Sequence, residues 1–278
     1  MSATLTAQNG MTLGTFYPTP EHEAAAQSFV RFVTANFDAD AVLLVNSCTR
    51  GKATRDSCLD IVMLASPEKL SPQLVSLQRD WLPFMKDDPA IQALAKVGRY
   101  SEVHADFVDG VFTPPERDDA AGPDSFEVEI GNFVAYSVPL WQSGDYYATL
   151  KRRWLPYYGE ELRDQRLSEV RRFCLNNLQH IAPYVQRGLY FQAFDRLYNA
   201  YREFLQALFI SRRTYPIAYN KWIKEQVVEI LGLPELYAQL PRLFEILQFE
   251  SLELVSKAEQ VEQLLNEFAP ATDARRSA

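Results

Sequence analysis

Three cysteines in 278 residues, Cys48, Cys58 and Cys174, make an odd number, and none stands in a Cys-x-x-Cys pair. Usage this sparse excludes a disulfide scaffold and fits a reducing compartment. Glycine is scarce as well: 11 Gly beside 16 Pro exclude collagen-like chains. The longest apolar runs, at 41–45 and 61–65, are far too short to span a bilayer, so no membrane partner is expected. The first 25 residues have no basic stretch followed by an apolar run, so no secretory signal is expected and a cytoplasmic protein is the default. Positive charge is also in deficit, with 28 Lys and Arg against 36 Asp and Glu, a net charge of −8. That balance argues against broad, charge-driven nucleic-acid binding, while leaving room for a local basic groove.

What is present is ordinary globular material, 47% hydrophobic and 23% charged. The length suggests two domains or one large one. Residues 1–20 read as a polar arm carrying Gly14, Pro18 and Pro20. A helix is expected at 21–35, with Phe29, Phe32 and Val33 on its apolar stripe. A buried strand at 41–45 runs into a turn at 46–51, and a second strand at 59–64 ends at Ser66-Pro67. A helix at 72–85 follows, then strands at 97–107 and 125–137, separated by Pro114, Pro115 and Gly122-Pro123. Beyond about residue 140 glycine almost disappears and the apolar spacing turns helical, as in Phe194, Leu197, Tyr198, Tyr201, Leu205 and Leu208. Further helices are expected at 166–186, 218–231, 234–248 and 251–268, with short connections that suggest antiparallel neighbours in a bundle. The expected class is therefore α+β: an arm at 1–20, a mixed sheet flanked by helices at 21–140, an all-α bundle at 141–269, and a flexible tail at 270–278.

The chemistry concentrates in residues 45–64, Val-Asn-Ser-Cys-Thr-Arg-Gly-Lys-Ala-Thr-Arg-Asp-Ser-Cys-Leu-Asp-Ile-Val-Met-Leu. Gly51-Lys52 suggests a P-loop, but Asn46 stands where the first glycine belongs and Ala53 follows the lysine where Ser or Thr is needed. The stretch resembles instead the signature of the nucleotidyltransferase superfamily of the polymerase-beta type. That signature is an apolar strand, a Gly-Ser turn, about ten residues, then two acidic residues flanking an apolar one. Ser47 is the turn serine, Cys58-Leu59-Asp60 occupies the acidic triplet, and Ser57 matches the serine often preceding it. Arg50-Gly51 and Ala53-Thr54 look like the small-molecule branch of the family. The likeness covers roughly residues 25–137, and the helical remainder is similar to the substrate domain of the antibiotic-modifying branch.

The resemblance implies transfer of a nucleotidyl group from an NTP, with ATP as the first choice, to a hydroxyl acceptor with Mg2+. Charge that develops on phosphate oxygens is neutralised by magnesium, which prefers hard oxygen ligands. Alternating residues of a strand share one face about 6.5–7 Å apart, so acidic residues at such positions can serve one metal site. Asp60 is the expected metal ligand and catalytic carboxylate. A further carboxylate from a neighbouring strand is expected to be Asp106, also a metal ligand, or Glu129, with Glu127 and His104 as lesser candidates. Ser47, Arg50 and Ser57 would meet the nucleotide. Arg212, Arg213 and Lys221 cluster in the sequence with Tyr215, Tyr219 and Trp222, a group suited to phosphates and a stacked base; Arg212 and Lys221 are therefore nucleotide-binding candidates. Asp195 and Glu203 are weaker candidates for a general base.

Two positions depart from the family pattern. Asn46 replaces the usual glycine, and Asn tolerates positive φ. Cys58 replaces the first acid, and a thiol is a poor magnesium ligand. Asp56, four residues before Asp60, would stand about 13 Å from it on an extended strand, and only a bulge would bring it in. No Cys/His spacing suggests a zinc site. The alternatives are a degenerate, non-catalytic nucleotide-binding protein and an interaction protein that uses the helical bundle as its surface.

Overall fold

A computed structural model describes residues 5–6, 10–116 and 121–271. The expected flexible tail lies, from residue 272 onward, outside the described residues. The chain divides into two compact units, one made of residues up to Thr113 with Glu129–Leu155, the other of Pro114–Val128 with the chain from Pro156.

The first unit opens with a short antiparallel pair, β1 (Leu5–Thr6) and β2 (Thr12–Leu13). Helix α1 (Pro20–Asn36) starts where Pro20 presets the first turn and Glu21 and Glu23 face the helix dipole. It buries Phe29, Phe32 and Val33, the stripe expected from the sequence, together with Ala25 and Ala26. The main sheet has the order β5-β4-β3-β6, with β3 (Ala41–Leu44), β4 (Leu59–Leu64), β5 (Val103–Val108) and β6 (Val138–Gln142). β3 is antiparallel to β4 and β6, whereas β4 and β5 are parallel. A parallel pair needs a long crossover. It is supplied by α2 (Pro67–Asp87) and α3 (Pro89–Leu94). Alternation along the strands sends Val42, Leu44, Ile61 and Met63 into one core with Phe29, Phe32, Leu77, Trp81, Ile91 and Leu94. The polar residues of β4 and β5, Asp60, His104 and Asp106, therefore stand on the opposite face.

Residues 125–137 were expected as a strand and are not one. Phe126–Ile130 is a helix, α4, continued by a π-helical turn at Gly131–Ala135. The run Phe-Glu-Val-Glu-Ile alternates like a strand, but Phe126, Ile130 and Val134 are also four apart, and all three are buried. β6 and α5 (Tyr146–Trp154) fall in the sheet unit, which ends at Leu155, while residues 114–128 fall in the other unit.

The second unit is built on α6 (Glu160–Gln186) and α7 (Tyr190–Ser211), joined through Gly188 at φ 70°, a left-handed turn that glycine adopts without strain. Their facing stripes, with Cys174, Leu178, Ala200, Phe204 and Leu208, form one core with Val261 and Leu265 of the last helix. Only part of the helix expected at 218–231 forms, a π-helical turn at Glu225–Ile230. Trp222 has φ 60°, and the buried Gln226 side chain takes over the backbone of the preceding loop, accepting from Ile217 N and donating to the Ala218 and Lys221 carbonyls. The helix expected at 234–248 is α8 (Pro234–Gln239), then a 3-10 turn at Pro241–Phe244, because Pro241 cannot donate into a continuing helix. The final helix, α9 (Glu253–Phe268), matches its expected span closely.

Candidate functional site

The site grows from the connection between β3 and β4. β3 ends in a 3-10 turn, Asn46–Thr49, which Asn46 enters at φ 59°, a left-handed conformation that asparagine tolerates. The Ser47 carbonyl accepts from Arg50 N and Lys52 N, and Thr49 Oγ1 donates to the Asn46 carbonyl. Ser47 and Arg50 are buried within this turn. Val45 N donates to the Asp60 carbonyl, so Asp60 lies across from the residue two before Ser47.

The approach to β4 is held by His22. His22 is fully buried; its Nε2 donates to the Ser57 carbonyl and its Nδ1 lies 2.9 Å from Thr19 Oγ1. The Ser57 hydroxyl accepts from Thr54 N and so closes a local turn. Asp56 belongs to this turn region rather than to β4, and its carboxylate accepts from Arg99 N. No bulge brings Asp56 beside Asp60.

Cys58 and Asp60 share a face, two residues apart. Cys58 Sγ donates to Asp60, 3.5 Å from each carboxylate oxygen. Cys58 is half-buried rather than part of the core. The parallel register sets His104 opposite Asp60, and His104 Nδ1 lies 3.5 Å from Asp60 Oδ1. Its Nε2 is 3.3 Å from Glu102 Oε1. Ligand atoms of Cys58, Asp60 and His104 all fall within 4.8 Å of one another. The sequence spacing missed this group because His104 arrives through strand pairing, 44 positions after Asp60 in the chain.

Asp106 follows two residues after His104 on the same face of β5. Its carboxyl pKa is raised above the ordinary range by partial burial and by the negative charge of Asp60, with His104 opposing. Asp106 also lines a recess of about 400 Å³ together with Asp109, Glu129, Leu70, Phe112 and Phe133. Both candidates for the further carboxylate thus reach one recess, Glu129 from a helix rather than from the expected strand. Cys48 sits behind the site in the core; burial, with the charges of Asp60 and Cys58 and against that of Arg50, pushes its thiol up to about 12, so it stays protonated.

The raised Asp106 pKa gives a sign-defined pH effect. A carboxyl whose folded pKa lies above its unfolded value favours folding at pH below the unfolded value, and that contribution is lost as pH rises through the folded one. Asp106→Asn should therefore be slightly more stable than wild type at neutral pH. The gain should be small, because Asp106 keeps much of its surface in water, and should close as the pH falls below about 3.9, the ordinary Asp value. Paired thermal melts from pH 3 to 7 check it; a gain that grows on acidification would contradict it.

In the second unit, the basic and aromatic cluster separates. Tyr215 and Tyr219 are buried and cannot stack on a base. Arg213 makes two 2.7 Å bonds to Glu160, while Arg212 and Lys221 are exposed. Glu203 is buried and accepts from Asn177 Nδ2, and Asp195 lies on the surface. Glu127, expected on a strand face, is fully buried. It accepts from Arg166 Nε and Nη2, Tyr158 Oη and Gln206 Nε2, and Arg166 also bonds both oxygens of Asp124. Glu127 thus sits in a buried ion cluster on a helix and not on the expected strand face.

No helix among the described residues is long and apolar enough to cross a membrane. No family model matches the chain, and no curated protein matches it.

Proposed function

We propose that the sheet unit is a nucleotidyltransferase-like module that transfers a nucleotidyl group from an NTP, with ATP as the first choice, to a hydroxyl acceptor. The observation that carries this reading is that Asp60 and Asp106 stand on one face of the adjacent strands β4 and β5, with Asp106 two positions beyond His104, the residue opposite Asp60. The strand, turn and strand that precede Asp60, with Asn46 in the left-handed conformation, support it. Asp60 and Asp106 offer the hard oxygen ligands that magnesium prefers, and Cys58 does not. Magnesium held there would neutralise charge on the triphosphate. The Ser47 turn would receive phosphate oxygens. Glu129, which lines the recess with Asp106, would accept the proton of the acceptor hydroxyl as its oxygen bonds the α-phosphorus and pyrophosphate leaves.

A second reading is favoured by Cys58, whose sulfur stands beside both oxygens of Asp60 where the family pattern has an acid. In that reading the module binds nucleotide without turnover. Melting temperature measured with Mg2+ and ATP, GTP or CTP tests binding. Pyrophosphate release with a panel of hydroxyl acceptors tests turnover. A shift with release supports the transferase, a shift without release supports the binding module, and neither result leaves both readings without support.

Cys58→Asp sharpens the comparison. It would restore two acids at alternate positions of one strand face, at a site only half-buried. The variant should bind Mg2+ and NTP more tightly by on the order of 1–2 kcal/mol, the size of one added charge-assisted contact. Its metal-free form should melt lower, through repulsion from Asp60, and recover with Mg2+. Calorimetric titration that finds unchanged or weaker binding would remove Cys58 from the metal-facing position.

A further inference from the structure

We infer that Cys58, Asp60 and His104 form a binding site for a borderline divalent transition metal, zinc above all, in preference to magnesium. The inference shares Asp60 with the proposed transferase and stands without a bound nucleotide. Three features of the molecule lead to it.

The first is the donor set. A thiolate sulfur, an imidazole nitrogen and a carboxylate oxygen are the ligand types that zinc accepts, whereas magnesium takes oxygen. The second is spacing. With Zn–S at about 2.3 Å and Zn–N or Zn–O at about 2.0–2.1 Å, ligand atoms of a tetrahedral site stand about 3.3–3.6 Å apart. Cys58 Sγ is 3.5 Å from Asp60 Oδ1, and His104 Nδ1 is 3.5 Å from the same oxygen. The sulfur also has a nitrogen of the His104 ring within 4.8 Å, a wider gap than the other two. The third feature is the outer partner of the histidine. Metal-bound imidazoles usually donate their other ring N–H to a carboxylate, which fixes the tautomer and raises basicity. Here Nδ1 faces Asp60, and Nε2 faces Glu102 Oε1 at 3.3 Å.

The arrangement follows from the sheet. Alternation on one strand aligns Cys58 with Asp60, and the parallel register brings His104 opposite Asp60. Three protein ligands leave one tetrahedral position open, the pattern of sites that admit water or substrate. Binding requires loss of the thiol proton that Cys58 now shares with Asp60, so affinity should rise with pH and a proton should be released.

The test uses the full chain freed of metal with a chelator and titrated with Co2+, whose thiolate bond gives a near-ultraviolet charge-transfer band. Wild type should develop this band with one equivalent, and Zn2+ should abolish it by displacement, while millimolar Mg2+ should not. Cys58→Ser should lack the band, His104→Ala should bind at least tenfold more weakly, and Glu102→Gln should lose about tenfold, at the low end for an outer partner. Cys58 is half-buried and His104 exposed, so metal-free melts of these variants should match wild type and exclude misfolding as the cause. A band that survives in Cys58→Ser, no band in wild type, or equal competition by Mg2+ would overturn the site. The melting shift with Mg2+ and NTP, measured on the same samples without Zn2+ or Co2+, reports on the transferase reading separately, so either can fail alone.

Discussion

Arg166→Met is expected to destabilise the helical unit by about 3–5 kcal/mol, the cost of stranding a buried charge. Arg166 is 1% exposed and holds two buried carboxylates at once, Asp124 at 2.8 Å and Glu127 at 2.9 Å, with the more exposed Glu169 at 3.5 Å. Burial by itself would lower the Arg166 pKa, but the Glu127 and Asp124 charges outweigh it and leave the guanidinium more firmly protonated than usual. Methionine fills much of the volume and provides no charge. Two carboxylates would remain, one of them fully buried, with Gln206 and Tyr158 as the nearest donors to Glu127. Urea denaturation at neutral pH measures the loss. The triple variant Asp124→Leu, Glu127→Leu, Arg166→Met should recover much of the stability, because an apolar replacement for an entire buried ion group is often neutral or better. A single variant within about 0.5 kcal/mol of wild type, the range of an ordinary surface substitution, would mean that the cluster is hydrated rather than sealed.

Asp60→Asn is the corresponding prediction for the proposed chemistry. It should lower metal-dependent pyrophosphate release by on the order of 10²-fold, since metal stabilisation of transition-state charge is worth several kcal/mol. Stability should hold or rise slightly, because the change removes one of two neighbouring negative charges from the β4–β5 face. The Asp106 pKa should fall toward its ordinary value, which carbon-detected NMR titration can follow. Undiminished metal-dependent release in the variant would dismiss Asp60 as a metal ligand, and a large loss of melting temperature would make its role structural.

Much of the local structure was legible before any contact was known. Strand β4 has the expected bounds, 59–64, and β3 differs by one residue, since short apolar runs bounded by turn residues leave few alternatives. α1 and α9 were legible from their apolar stripes and flanking residues. The pairing of Cys58 with Asp60 also followed from alternation alone. The errors arose where two periodicities fit the same short run. Phe126-Glu-Val-Glu-Ile130 satisfies a strand and a helix equally, and the partner that decides it, Arg166, lies 39 residues from Glu127. In the same way, Tyr215 and Tyr219 read as stacking platforms beside basic residues, but their burial depends on how distant helices close over them.

The sequence by itself determined the strand–turn–strand unit, the helical stripes of both units and the face on which Asp60 lies, because each depends on neighbours within a few positions. Only the tertiary structure decided which residues stand beside Asp60. The parallel register of β4 and β5 brings His104 opposite Asp60, and Asp106 follows two positions later on that face. The side chains of α2 and α3 fold the crossover that makes this register possible. Pairing register depends on long-range packing of a whole face, and a shift of one residue would send His104 and Asp106 into the core. That physical dependence is why a site with donors from two strands was not visible as a spacing in the chain.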